Sequence, residues 1–242
     1  MKTCLIRQPA GLGDIFFTQK IAKLSLDSNR VDRVTWPVIS EYSYLTEYMI
    51  NDKVTFISEK ESFPFKEVYD RDPIQIIETD DLLYIPLQHA DRLVSGLPVM
   101  QVKYKICDMD YLNWKDFFLF KRNLEREKKL KAYFNLKDEP YNLINTNFGS
   151  KDYAYLNNQR QGIEIKNGFR NIENQYLGFD NIFDWIGLLE GASEIHTVDT
   201  VWCYIAEKLD LKNVTVYSRK PGNSSFFSYV NGIFNPDWKY VL

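Results

Sequence analysis

The chain has 242 residues, which is enough for one large α/β domain or two small ones. Its formal net charge of −3 gives no general affinity for nucleic acid, so a nucleic-acid partner is not favoured. We find no apolar run long enough to cross a membrane and no signal peptide. Three widely separated cysteines indicate reduced thiols and a cytoplasmic protein, and only two histidines argue against a multi-histidine metal site.

The first half alternates between short apolar strands and amphipathic helices. This alternation predicts a parallel sheet covered by helices. The predicted strands are residues 2–8, 33–38, 54–57, 75–78 and 82–85. The predicted helices are residues 14–25 and 42–49.

A second alternation follows an aromatic and acidic stretch and a charged helix predicted at 121–133. It comprises predicted strands at 141–146, 162–166, 194–198 and 214–218, with helices at 183–190 and 201–209. We therefore predict an α/β fold with two Rossmann-like domains, residues 1–104 and 105–242. Residues 225–242 are expected to form a closing helix that packs back across the join.

The segment Gly11-Leu12-Gly13-Asp14 follows the first strand and opens the first helix. It is not a P-loop, because no Gly-Lys-Ser/Thr follows, and Phe16 stands where a dinucleotide fingerprint has its third glycine. Asp14 has two interpretations, which the sequence leaves open. Its carboxylate either caps the helix or acts as a general base at the mouth of the sheet.

A second strand–turn–helix lies late in the chain, at Asp199-Thr200-Val201. Free N–H groups at the start of the following helix offer a seat for a diphosphate. Plain helix capping by Asp199 or Thr200 explains the same residues without a ligand.

The loop at Gly149-Ser150-Lys151 follows the first strand of the second half. The glycine allows close backbone approach, while the hydroxyl and the ammonium can donate to phosphate oxygens. An ordinary turn with a solvated lysine is the alternative. Arg160, Arg219 and Lys220 also lie near strand ends and could neutralise a diphosphate.

Two acidic pairs, Asp80-Asp81 and Asp108-Met109-Asp110, have a spacing that can hold a divalent cation. A metal-dependent transferase built on Asp108 and Asp110 is therefore an alternative. The basic residues between 121 and 131 alternate with glutamates, which favours a salt-bridged exposed helix over a nucleic-acid groove.

Taken together, these motifs resemble the ADP-heptose:lipopolysaccharide heptosyltransferases and related GT-B glycosyltransferases. The resemblance rests on Ile6-Arg7 with Gly11-Leu-Gly13-Asp14 and Thr18, on residues 181–192 followed by Val198-Asp199-Thr200, and on the loop at 147–151. The chain departs from the family pattern at Val201, where the family has glycine, and at Tyr204, where it has histidine.

The resemblance implies two domains that face each other across a cleft, with inverting, metal-independent transfer from a nucleoside-diphosphate sugar and no cofactor. It implies an acceptor loop at Gly11, Gly13 and Thr18 in the N-terminal domain, with Asp14 as the base that deprotonates the acceptor hydroxyl. Donor and diphosphate contacts would come from the C-terminal domain, through Gly149, Ser150, Lys151, Asp199, Thr200 and Val201. The acceptor is a glycan or a modified DNA base, and a non-catalytic nucleotide-binding scaffold remains the alternative from another class.

Overall fold

We describe the chain from a computed structural model, over residues 1–136, 139–148, 160, 162–175 and 177–242. The chain divides into two compact units, Met1–Lys121 and Arg122–Leu242. The boundary between the units lies after Lys121, whereas the domain boundary predicted from the sequence lies after Tyr104. The reason is aromatic packing, because Trp114 and Phe118 pack on Phe17 and Phe16 of the first unit, with ring centroids 5.4 and 4.3 Å apart.

The first unit contains a five-stranded sheet in the order β3-β2-β1-β5-β4. Strands β1, β2, β3 and β5 are parallel, and β4 pairs antiparallel with β5. Every residue of β1 and β5 is buried, which explains why both strands read as continuous apolar runs. The strands are β1 Thr3–Ile6, β2 Arg33–Val38, β3 Val54–Ser58, β4 Ile77–Glu78 and β5 Leu82–Ile85.

Short helices connect and cover these strands. They are α1 Leu12–Phe17, α2 Gln19–Asp27, α3 Leu45–Tyr48, α4 Lys66–Arg71, α5 Ala90–Leu93, α6 Val99–Lys105 and α7 Trp114–Phe117. The single helix predicted at 14–25 is two helices that meet at Thr18, where the backbone departs from helical dihedrals (φ −92°, ψ 9°). The Thr18 hydroxyl donates back to the Asp14 carbonyl at 2.7 Å, beside the backbone amide of the same residue.

The second unit contains a five-stranded parallel sheet in the order β10-β9-β8-β6-β7. Its strands are β6 Tyr141–Asn145, β7 Arg170–Glu173, β8 Glu194–Val198, β9 Val214–Tyr217 and β10 Lys239–Val241. Its helices are α8 Leu124–Tyr133, α9 Ile186–Gly191, α10 Val201–Lys208 and α11 Phe226–Val230. None of the helices in the described ranges of either unit is long and apolar enough to span a bilayer.

Two sequence predictions in this unit were wrong. The strand that follows β6 is Arg170–Glu173 rather than 162–166, because the turn around Gly168 (φ 83°) comes first and the polar strand gave little apolar signal. The tail does not form one closing helix. It forms the short helix α11 and then β10, which pairs with β9 as an edge strand of the second unit.

Helix α8 is the salt-bridged helix that its alternating charges predicted. Arg122 pairs with Glu190 at 2.7 Å and also with Glu127. Arg126 makes two hydrogen bonds, of 2.8 and 2.7 Å, to the carboxylate of Asp184, whose side chain is only 3% exposed. The bidentate Arg126 contact therefore connects α8 to the segment before α9.

We expect Arg126→Gln to lower the free energy of unfolding by about 2–3 kcal/mol, because it leaves the buried Asp184 carboxylate without its bidentate donor. Urea denaturation of the full chain measures this. Lys128→Gln on the same helix is the matched control, because Lys128 and its partner Glu125 are both largely exposed. Its effect should stay within about 0.5 kcal/mol, and equal losses in the two variants would contradict the assignment.

Candidate functional site

Each sheet has one point where the strand order reverses. In the first unit β2 and β3 lie on one side of β1, while β5 lies on the other. In the second unit β7 lies on one side of β6, and β8 to β10 lie on the other. Ligands of open α/β sheets bind outside the carboxyl ends of the strands at such a point. The candidate residues therefore lie beyond the ends of β1 and β5, and beyond the ends of β6 and β8.

Asp14 lies beyond the end of β1, in the first turn of α1. The residue that caps α1 is Gly11, which has a φ of 80°, so the capping role considered for Asp14 is wrong. Asp14 is the third residue of the helix, where the unpaired N–H groups favour a negative charge. Its side chain keeps 29% of its surface exposed, so the carboxylate is accessible at this edge.

The carboxylate of Asp14 is held by Lys103 of α6. The ammonium Nζ lies 3.1 Å from Asp14 Oδ1, and the Lys103 side chain is only 4% exposed. The same ammonium donates to Gln8 Oε1 at 2.7 Å and to the Leu87 carbonyl at 3.0 Å. One buried cation therefore connects the segments after β1 and β5 to the first turn of α1.

The other residues of the loop predicted to bind the acceptor lie close to Asp14 in sequence. Gly13 and Thr18 are buried, and the Thr18 hydroxyl is used on the Asp14 carbonyl. Burial raises the pKa of the nearby Tyr42, and hydrogen bonds from the backbone amides of Gly11 and Leu12 only partly offset this. The Asp14 side chain is thus more exposed than Gly13 and Thr18 beside it.

In the second unit, a network of buried polar side chains lies at the carboxyl ends of β6 and β8. Asn145 Nδ2 donates to the hydroxyls of Thr197 at 3.0 Å and Thr200 at 3.1 Å. Its Oδ1 accepts from Asn174 Nδ2 at 2.9 Å. Thr200 is the residue before α10, and its hydroxyl accepts from Asn145 and makes no capping bond to the helix.

The start of α10 has the features expected of an anion seat. The helix begins at Val201, so its first N–H groups have no carbonyl one turn earlier to bond. Arg219 Nε donates to the Asp199 carbonyl at 2.6 Å, which fixes the turn from outside. Arg160 is buried over the ring of Tyr217, and its Nε has no hydrogen-bond partner among the described residues.

Gly149, Ser150 and Lys151 lie outside the described residues, so their predicted phosphate contacts stay predictions. The residues just before them are described. Asn147 Nδ2 donates to the Asn174 carbonyl at 2.8 Å, and the Arg219 guanidinium lies 5.8 Å from the Phe148 ring centroid. The loop therefore leaves the sheet at the same edge as Asp199 and Thr200.

The acidic pair Asp108 and Asp110 does not form a metal site with its described neighbours. Asp110 Oδ1 accepts from Lys20 Nζ at 2.8 Å and from the Leu112 amide at 2.9 Å. The hydrogen bond from Lys20 lowers the pKa of Asp110, although slight burial opposes it. Within the ranges that the structure covers, no group of three metal-ligating side chains is found.

Two features of this site were missed by sequence reasoning. Lys103 carried a weak signal, because it is a lysine between Val102 and Tyr104 on an otherwise apolar stretch of helix. The network around Asn145 and Thr197 carried a clearer one, since both are polar residues at the ends of buried strands. Polar side chains in the last two positions of a buried strand lie at the edge where ligands bind.

No family model matches the sequence, and no curated protein matches it. Solved structures do match the fold. A glycosyl transferase family 9 protein from Veillonella parvula DSM 2008 aligns over 99% of this chain and 85% of its own, with a TM-score of 0.53 and 9% identity. The heptosyltransferase TibC in complex with ADP-D-beta-D-heptose aligns over 99% of this chain, with a TM-score of 0.56 and 11% identity.

A second TibC structure, of the iron-containing dodecameric glycosyltransferase from enterotoxigenic E. coli H10407, aligns over 90% of this chain with a TM-score of 0.51 and 10% identity. This chain spans 58% and 62% of the two TibC chains. The described fold, with its two parallel-strand sheets, is therefore an α/β fold shared with glycosyltransferases. Because all of these identities are low, the likeness concerns the fold alone.

Replacing Lys103 with methionine should lower the free energy of unfolding by about 2–4 kcal/mol, because it leaves Gln8 Oε1 and the Leu87 carbonyl buried without a donor. Lys105→Met is the control, since Lys105 is exposed on the same helix. Urea denaturation of both variants distinguishes the two. If Lys105→Met loses as much stability as Lys103→Met, the buried ammonium is not the cause.

Gly11→Ala tests how tightly the loop packs on Asp14. Alanine at Gly11 meets a strained positive φ, and its Cβ overlaps Asp14 Oδ2. Gly96→Ala meets the same strain at φ 81° but has nothing within 4 Å, so it should lose only about 1–2 kcal/mol. Thermal and urea unfolding should show a clearly larger loss for Gly11→Ala. Equal losses would mean that the Asp14 carboxylate moves aside without cost.

Proposed function

We propose that the chain is an inverting, metal-independent glycosyltransferase that moves a sugar from a nucleoside-diphosphate sugar to an acceptor hydroxyl. One observation carries the proposal. Asp14 is an accessible carboxylate, anchored by Lys103 beyond the strand-order reversal of the first sheet, in a chain whose fold aligns with glycosyltransferases over 99% of its length. The proposal requires the carboxyl edges of the two sheets to face each other across a cleft.

The chemistry assigned to Asp14 is general-base catalysis. Its carboxylate takes the proton of the acceptor hydroxyl while the hydroxyl oxygen attacks the anomeric carbon of the donor. The bond from that carbon to the diphosphate oxygen breaks on the opposite side, and the nucleoside diphosphate leaves with the electron pair. Lys103 is a positioning residue in this scheme, because it holds Asp14 without reaching the surface.

We assign the donor to the second unit. The backbone at Thr200 and Val201 would bind the diphosphate, and Asp199 would orient the turn that presents it. Gly149, Ser150 and Lys151 would contribute further donors from the neighbouring loop. These groups stabilise the charge that develops on the leaving diphosphate, a task that a divalent metal performs in other enzymes.

Asp14→Asn is the direct test, because it keeps the shape of the side chain and removes the base. We expect the release of nucleoside diphosphate from a panel of sugar nucleotides, with water or a glycan as acceptor, to fall by about 10²–10⁴-fold. Protection of the protein against melting by the same nucleotides should remain. Asp91→Asn is the control, as another accessible aspartate in the first turn of a helix of this unit.

The outcomes separate the remaining possibilities. Equal loss of turnover and nucleotide binding in Asp14→Asn would refute a role as base. Nucleotide binding by the wild-type protein without turnover on any acceptor would instead indicate a non-catalytic scaffold. Turnover that is abolished by EDTA would indicate a metal-dependent enzyme, whereas we expect the rate to be unchanged.

A further inference from the structure

Arg7 lies beyond the end of β1, next to Gln8, but its contacts are on the other face of the sheet. Gln8 reaches Lys103, whereas the Arg7 guanidinium stacks on the Tyr69 ring, with 3.8 Å between Cζ and the ring centroid. This divergence follows from the alternation of side chains along an extended chain. The Arg7 side chain keeps 15% of its surface exposed.

Of the three Arg7 guanidinium nitrogens, one has a hydrogen-bond partner among the described residues. Nε donates to Asp72 Oδ1 at 2.7 Å. Among the described residues, no group accepts from the two terminal nitrogens. Stacking and the Asp72 contact fix the guanidinium, so its outer fork is held ready for two parallel hydrogen bonds. A carboxylate or a phosphate has the geometry that matches such a fork.

Asp72 is placed to anchor Arg7 rather than to compete for its fork. It follows α4 with a φ of 50°, and its Oδ1 also lies 2.9 Å from His89 Nε2. Burial by itself raises the pKa of Asp72, but hydrogen bonds from His89 and Arg7 outweigh it and lower the pKa below its usual range. Asp72 therefore stays charged and keeps Nε engaged near neutral pH.

A second unused donor lies on the same face. Tyr84 of β5 pairs with Leu5, two residues before Arg7, and belongs to the buried cluster that contains Tyr69. Tyr84 is 0% exposed, and within the described part of the chain its hydroxyl has no hydrogen-bond partner. A buried hydroxyl without a partner is costly, so an acceptor supplied by a ligand would satisfy it.

We propose that Arg7 and Tyr84 form a binding site for one anionic group, a carboxylate or a phosphate, beyond the end of β1. Arg7 supplies the bidentate fork, and Tyr84 supplies a third donor. The site stands on contacts within the first unit alone. If the proposed glycosyl transfer holds, the ligand is an acceptor whose anion binds on one face of β1 and whose hydroxyl meets Asp14 on the other.

The test measures the binding of inorganic phosphate and of acetate to the full chain, by calorimetry and by the rise in Tm. Sodium chloride keeps the ionic strength constant. The probe that saturates identifies the phosphate or the carboxylate as the preferred group. We expect Arg7→Gln to raise the Kd of that probe at least about tenfold, because the variant loses one or more strong charged hydrogen bonds. Arg30→Gln, which removes another carboxylate-paired arginine of this unit, should bind as the wild type does.

Tyr84→Phe provides a second test that does not depend on the stability of Arg7→Gln. It should raise the Tm of the ligand-free protein by about 2–4 °C, because it removes an unsatisfied buried hydroxyl, and it should still weaken the binding of the probe. Saturation by neither probe would overturn the proposal, as would a Kd that Tyr84→Phe and a folded Arg7→Gln both leave unchanged. Asp14→Asn should keep the probe's Kd, so a failure of glycosyl transfer is measured separately.

Discussion

The arrangement of the first unit depends on a buried ammonium. Lys103 donates to Gln8 and to the Leu87 carbonyl, and it lies in ion-pair range of Asp14. Burying a charge is costly unless several acceptors satisfy it. Moving Gln8, Leu87 or Asp14 away would therefore leave the buried Lys103 ammonium without enough acceptors. The ammonium that links the segments after β1 and β5 therefore also fixes the position of the Asp14 carboxylate. Precise placement of a base is what general-base catalysis needs, which is why the structural role of Lys103 bears on the proposed chemistry.

The carboxyl edges of both sheets could be predicted from the sequence, whereas the contacts that complete them could not. Strands β2, β5 and β8 have the predicted bounds, and the turns at Gly11 and Asp199 follow strand ends as expected. Apolar runs and helix starts are local patterns, which a single sequence displays. The pairing of Lys103 with Asp14 joins segments that are far apart in sequence, and no local spacing pattern predicts it. The break at Thr18 was missed for a local reason, since a hydroxyl that bonds the preceding turn leaves the apolar pattern intact.

The second unit shows how a polar network can serve in place of a conventional cap. Thr200 precedes α10 and has the residue type of an N-cap, yet its hydroxyl accepts from Asn145 and makes no bond to the helix amides. The helix start is therefore held from the side of the sheet, through a strand residue that is itself bound to Asn174. Amides that are not consumed by a cap remain available to an anion. Under the proposed function, this is the physical reason for assigning the diphosphate to the start of α10 rather than to a helix with a side-chain cap.

Arg7 and Gln8 are neighbours after the end of β1, and their side chains make contacts on opposite faces of the sheet. Gln8 points to the face where Lys103 holds Asp14, and Arg7 points to the face where Tyr69 and Asp72 hold its guanidinium. Because adjacent Cα atoms in a chain are only about 3.8 Å apart, both tasks are anchored at nearly the same place in the sheet. An acceptor that binds through an anion would thus be fixed directly after a buried strand. Under the proposed function, the angle between its anion and its reactive hydroxyl would become a condition for transfer. A neutral sugar lacks the first contact, so under the proposed function discrimination between acceptors would arise from Arg7 and not from the base.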